Sequence, residues 1–239
     1  MDAATLVDVW EQVIGSQPEP PRWLVLATGA LALTLVLVRP AWRVMRNTAT
    51  IAHEGGHALV AVASGRRLAG IRLHSDTSGL TVSAGRPHGV GMVLTTAAGY
   101  PAPSLLGLGG AWLLYTDHIT ALLWITVAAL AALLVMVRNA YGALSLVVTG
   151  GVCFAVSWFA DAGIQAAFAY LAVWFLLFAG VRPILELQGL RRQGRAPDSD
   201  PDQLAGLTGV PAGLWVALFL AITAGCLFTG GGWLLQLGR

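Results

Sequence analysis

The chain has 239 residues, of which 56% are hydrophobic and 11% charged, with a mean hydropathy of +0.70, whereas a soluble domain carries about 25% charged residues. A soluble globule is excluded, and so is a disordered chain, which lacks this apolar excess. The net charge of +2, from 14 Lys+Arg against 12 Asp+Glu, comes without a basic stripe interleaved with aromatics and excludes a nucleic-acid partner.

Spanning the hydrocarbon takes roughly 20 apolar residues. Counted against that length, residues 1–239 read as a single all-α polytopic membrane protein with six or seven transmembrane helices and one short β-hairpin insertion. The first 22 residues hold Asp2, Asp8, Glu11 and Glu19 but no basic n-region, so the first apolar run reads as a retained anchor rather than a cleaved signal. That anchor helix covers residues 23–38, flanked by Arg22 and Arg39, which can snorkel to the interface. Residues 47–64 carry charge and histidine within a helical pattern. Residues 70–86 alternate apolar and polar around Thr77-Ser78-Gly79, the pattern of a β-hairpin.

The remaining membrane helices are expected within residues 89–230. The stretch 89–114 is interrupted by Gly99-Tyr100-Pro101-Ala102-Pro103, which must break or kink a helix. Near-continuous apolar runs follow at 119–137, 141–160 and 162–181, separated by Arg138-Asn139 and by Asp161. A polar loop at 191–202 precedes a last span from Pro211 to the glycines at Gly230 to Gly232. The arginines after several spans all vote for the cytoplasm. Strict alternation cannot satisfy Arg46 and Arg138 together, so one irregular stretch must cross only partly; the favoured orientation puts the amino terminus outside. Cys153 and Cys226 lie in apolar runs and read as small hydrophobes.

The chemistry gathers in His53-Glu54-Gly55-Gly56-His57, an HExxH sequence. Helical spacing of four puts both imidazoles on one face, able to share one ion, and Glu54 beside them can take a proton from a water that the ion activates. Two imidazoles and a carboxylate are expensive in an apolar helix unless they bind a metal or line a wet cavity; the competing reading is a polar patch that glues helices together. Gly55-Gly56 costs helix stability but lets another backbone approach closely, as a neighbouring helix or as a substrate.

HEGGH on an early membrane helix, a short hairpin, the segment AAGYPAPSLLG and further apolar helices together resemble the site-2 protease clan of intramembrane zinc metalloproteases, and within it the bacterial M50B-like branch. The likeness covers about residues 23 to 230 in element order. The segment Ser199-Asp200-Pro201-Asp202-Gln203-Leu204-Ala205, followed by Thr208, Pro211 and Trp215, is similar to the acidic stretch before the last helix of that branch. The resemblance implies bound Zn2+, His53 and His57 as metal ligands, and Glu54 as the catalytic base. It also implies a transmembrane or membrane-associated protein as substrate, within the lipid bilayer of a bacterial plasma membrane.

The departure concerns the third ligand. Better-known clan members place an Asp-Gly motif on a later helix, where this chain reads Arg138-Asn139-Ala140-Tyr141-Gly142. A catalytic zinc normally has three protein ligands, so another donor must complete the set. The candidates are Asp200, then Asp202, then Asp161, with Asn139 as a neutral oxygen donor. Three of the four have a structural alternative: Asp200 could belong to a capping box with Gln203, Asp161 to a hairpin turn, and Asn139 to a helix end. His74, His88 and His118 read as solvated loop residues. The function expected is hydrolysis of a peptide bond through a zinc-activated water. The alternatives are a non-catalytic membrane adaptor or sensor that keeps the fold, and a cation transporter, which would need ligands along a path and shows only one cluster.

Overall fold

Two helices meet at a sharp corner near the start of the described chain, which in this computed structural model comprises residues 10, 11, 13 and 15–237. Helix α1 spans Arg22–Leu37 and α2 spans Arg39–Ala63, and their axes differ by 99°. Val38 between them is extended, and Pro40 stands in the first turn of α2, where a missing N–H costs nothing. The corner is clamped from outside. Arg182 donates to the Val36 carbonyl that the end of α1 leaves free, and it lies 4.8 Å over the Trp42 ring. It also shares Glu186 with the Trp42 indole N–H, at 2.8 and 3.0 Å. The helix carrying HEGGH therefore begins at Arg39 rather than at residue 47. Asp2 and Asp8, part of the reading of a retained anchor, lie outside the described residues.

Strands β1 (Arg67–Leu73) and β2 (Gly79–Ala84) pair antiparallel, a hairpin close to the expected one. Its turn is tightened by Thr77 in the left-handed region, φ 66°. The other edge of β1 is covered as well, since Ile71 bridges Val137 in parallel and accepts from the Arg138 N–H at 2.9 Å. Only β2 keeps an edge without a strand beside it among the described residues.

Helices α3 (Val90–Ala97) and α4 (Ala102–Tyr115) are separated at residues 98–101, the break expected from Gly99 and Pro101. Then come α5 (Ile119–Met136), α6 (Ala140–Phe159) and α7 (Ala162–Ala179). Gly180 keeps helical angles, so α7 runs on into α8 (Val181–Arg192) as one 31-residue helix. The polar loop consequently shrinks to residues 193–199: Arg191 and Arg192 end α8, and Asp200 and Asp202 open α9 (Asp200–Thr208). Helix α10, Ala212–Leu234, closes the chain.

By length and composition, four helices among the described residues can cross a membrane: α5, α6, the joined α7 and α8, and α10. A fifth is counted if the bent α1–α2 pair is one span. The six or seven expected are not reached by this measure. With 8 and 14 residues, α3 and α4 rise about 12 and 21 Å, too little to cross roughly 30 Å of hydrocarbon singly. Only 28%, 22% and 28% of the apolar windows of α5, α6 and α10 are buried, and residues such as Val148, Phe159, Leu214 and Phe228 face outward. Apolar surface on that scale belongs in lipid, and the protein is an integral membrane protein.

Three buried clusters hold the elements together. The largest joins α1, α4, α7 and α10 through Val36, Leu114, Trp174, Leu177 and Cys226. A second joins α2, β1, α5 and α6 through Ile51, Ile71, Leu73, Leu130 and Leu146. The third joins α8, α9 and α10 through Ile184, Leu187, Leu204 and Phe219. The polar pocket described next lies where α2 meets α9.

Candidate metal centre

His53 and His57 stand one turn apart on α2, and their Nε2 atoms converge to 3.1 Å. Asp200, from the first turn of α9, places Oδ2 at 3.3 Å from each. These three residues form one compact donor group. The protonation chemistry narrows what can sit among them. His57 Nδ1 lies 2.7 Å from the Thr95 carbonyl, which can only accept, so Nδ1 carries a proton and, in the neutral ring, Nε2 is the atom that presents a lone pair. Asp200 Oδ2 is buried without a hydrogen-bond donor.

Three atoms that can each offer an electron pair to a cation thus face one point. The spacing fits a metal as well. Tetrahedral zinc with bonds of about 2.0–2.1 Å spaces its donors about 3.3–3.4 Å apart, close to the observed triangle. The carbonyl partner of His57 is the outer contact that fixes tautomer and ring orientation in such sites.

Glu54 points from the adjacent face of α2 towards β2 and is 4% exposed. Thr81 Oγ1 donates to its Oε2 at 2.6 Å. A Cβ on Gly79 would lie 2.5–2.6 Å from Glu54 Cγ and Cδ, so only a glycine lets the strand rest on this carboxylate. The hairpin is further tied to α2 by Thr50 Oγ1, which donates to the Thr77 carbonyl at 2.8 Å.

Two residues from the break between α3 and α4 complete the pocket; the sequence marks them as a helix break and as part of the AAGYPAPSLLG resemblance, but not as neighbours of the imidazoles. Gly99 lays its backbone against both imidazoles. The Tyr100 ring meets His53 edge-on at 4.8 Å and stacks on Phe219 at 5.7 Å, so it steadies that imidazole from the side. Gly56 serves the same approach from the other side, since a Cβ there would lie 2.9 Å from the Ala98 carbonyl oxygen.

The other candidate ligands are engaged elsewhere. Asp202 pairs with Arg191 and accepts from Ser199 Oγ; burial opposes its ionisation, but Ser199 and Arg191 hold its carboxyl below the usual range. Asp161 caps α7 by accepting from the Ile164 N–H at 3.0 Å. Asn139 grips β1, with Oδ1 accepting from the Leu73 N–H at 3.2 Å and Nδ2 donating to the Leu73 carbonyl at 2.6 Å. Its amide thus imitates a strand partner. The capping-box alternative for Asp200 also fails, because Ser199 is the N-cap of α9 and the Gln203 side chain donates to the Asp198 carbonyl.

Asn139→Ala is accordingly expected to leave metal uptake unchanged and to loosen β1 by about 1–2 kcal/mol, the cost of buried backbone groups left unpaired. Hydrogen exchange across residues 67–73 together with metal content reads both effects. Metal lost from a protein whose hairpin stays protected would return Asn139 to the ligand set.

A helical membrane protein with an HExxH helix and a buried acidic donor facing both imidazoles is the class that fold and pocket define. Residues 26–230 match the family model described as peptidase M50B-like, and the chain belongs to that family. Comparison with curated proteins and with solved structures found no match. Membership of a peptidase family implies a protease.

Proposed function

We propose that the protein is an intramembrane zinc metalloendopeptidase that hydrolyses a peptide bond of a transmembrane or membrane-associated protein, in the plasma membrane of a bacterium as its resemblance implies. The observation that carries this reading is the triangle of His53 Nε2, His57 Nε2 and Asp200 Oδ2, with sides of 3.1, 3.3 and 3.3 Å. A zinc ion held there supplies Lewis acidity, polarising the scissile carbonyl and acidifying water. The protein does the rest. His53, His57 and Asp200 hold the ion, and the Thr95 carbonyl keeps His57 in the ligating tautomer. Glu54 accepts the proton of the attacking water and returns it to the leaving nitrogen. Strand β2, whose Gly79 and Thr81 touch Glu54, keeps an edge unpaired among the described residues that suits an extended substrate strand, whose backbone groups a helix would hide.

The non-catalytic alternative drew its support from the absent Asp-Gly motif. A buried carboxylate 3.3 Å from both imidazoles removes that reason.

Glu54→Gln tests the reading. Purified wild type and variant are both expected to hold stoichiometric zinc, while membrane-protein fragments generated in cells carrying the wild type fall by about 100-fold or more with the variant. Zinc in both proteins with identical fragment patterns would favour the adaptor.

A further inference from the structure

Asp200 occupies the first position of α9, so its carboxylate meets the imidazoles only while that turn is held. Apolar contacts supply part of the hold. Pro201 and Leu204 are fully buried, Leu204 within the cluster of Ile184, Leu187, Val216 and Phe219. Such burial seats the helix, but it is non-directional and tolerates rotation.

Direction comes from a polar cluster outside the metal pocket. Arg191, in the last turn of α8, pairs with the Asp202 carboxylate and donates to Ser199 Oγ at 3.2 Å. Ser199 Oγ in turn donates to Asp202 Oδ2 at 2.5 Å. Although Ser199 is the N-cap, its side chain makes no capping bond; the hydroxyl is committed to this cluster instead. Ser199 and Asp202 flank Asp200 on either side, and a single nitrogen of Arg191, Nη1, meets them both, so one cation grips the turn at two points around the ligand.

We propose that Arg191 is a positioning residue that, through Ser199 and Asp202, latches the N-terminal turn of α9 and so sets the metal affinity of the pocket. The proposal rests on reading His53, His57 and Asp200 as the metal site. It makes the junction of α8 and α9 the place where occupancy of the centre is controlled. A latch differs from a plain strut: a strut changes stability and leaves the affinity of the folded protein alone.

The test uses the full chain purified in detergent, with Co2+ as the probe, its visible absorption reporting ligand geometry and a competing chelator reporting affinity. Wild type is expected to bind one Co2+, and His53→Ala none. Arg191→Met is expected to weaken binding about tenfold or more, the scale for losing an outer partner of a ligand, and to shift the visible band. Arg192→Met, which removes the same charge from the exposed neighbouring residue, is expected to match wild type. Asp202→Asn should weaken binding in the same direction, and the exchange Arg191→Asp with Asp202→Arg should recover part of the loss.

If Arg191→Met does not fold, Asp202→Asn and Ser199→Ala read the same latch with milder changes. Wild-type affinity and spectrum in these variants, or lost stability with an unaltered spectrum, would overturn the latch alone. Wild type that takes up no Co2+ would overturn the metal site beneath it.

Discussion

Asp200→Ala is expected to empty the metal site and abolish proteolysis while the helices stay folded. Its Oδ2 is the donor that turns two imidazoles on one helix face into a three-cornered site, and a catalytic zinc normally needs three protein ligands. The loss should exceed the roughly 10- to 100-fold that follows removal of a merely supporting partner. Folding should survive because α9 is seated by Pro201 and Leu204, which the substitution leaves in place. Zinc content after dialysis against a chelator, set beside the thermal midpoint, separates the two effects. Asp161→Ala is expected to keep its zinc, since Asp161 caps α7. A fully loaded Asp200→Ala protein would remove Asp200 from the ligand set.

Gly99→Ala is the second large effect, and it needs no change in any charged group. The new methyl carbon would lie 2.6 Å from His53 Nε2 and closer still to His57 Nε2, far inside van der Waals contact, and it would occupy the space where a cation meets its donors. His57 cannot simply turn away, because its other ring nitrogen is bonded to the Thr95 carbonyl and the residue is 8% exposed. His53 is packed edge-on against Tyr100. We expect metal affinity to fall by about 100-fold or more, beyond the loss of an outer partner, with a stability cost of about 1–3 kcal/mol typical of overpacking. Co2+ titration followed by thermal unfolding measures both. Unchanged affinity would mean that the break between α3 and α4 does not wall the pocket.

How much was legible in advance follows from where each signal resides. HEGGH announces itself because both imidazoles and the carboxylate share one turn of one helix, and local geometry is written in local spacing. A third donor is a tertiary fact. Asp200 and Asp202 sit two residues apart in the same acidic stretch, and what separates them is Arg191, which neutralises one and leaves the other facing the imidazoles. Spacing alone could not separate them.

Gly99 was visible as a breaker of helices within a resembling segment, but not as a wall of the donor group, because the feature that matters is what its missing side chain would strike. The start of α2 was hidden for another reason. Arg39, Arg43 and Arg46 interrupt its apolar pattern, yet Pro40 in the first turn and the clamp of Arg182 and Glu186 sustain the helix from Arg39 onward. The six or seven expected spans are not reached by helix length, because α3 and α4 are apolar but short.

The donor triangle draws two corners from α2 and the last from α9, and this has a consequence for biosynthesis. A ribosome adding 5–20 residues per second needs about 7 to 30 s to travel from His57 to Asp200. On the proposed reading, the nascent chain carries its base and two of its donors into the bilayer throughout that interval without a finished cutting centre. Neighbouring proteins under insertion are then spared until the first turn of α9 has been made.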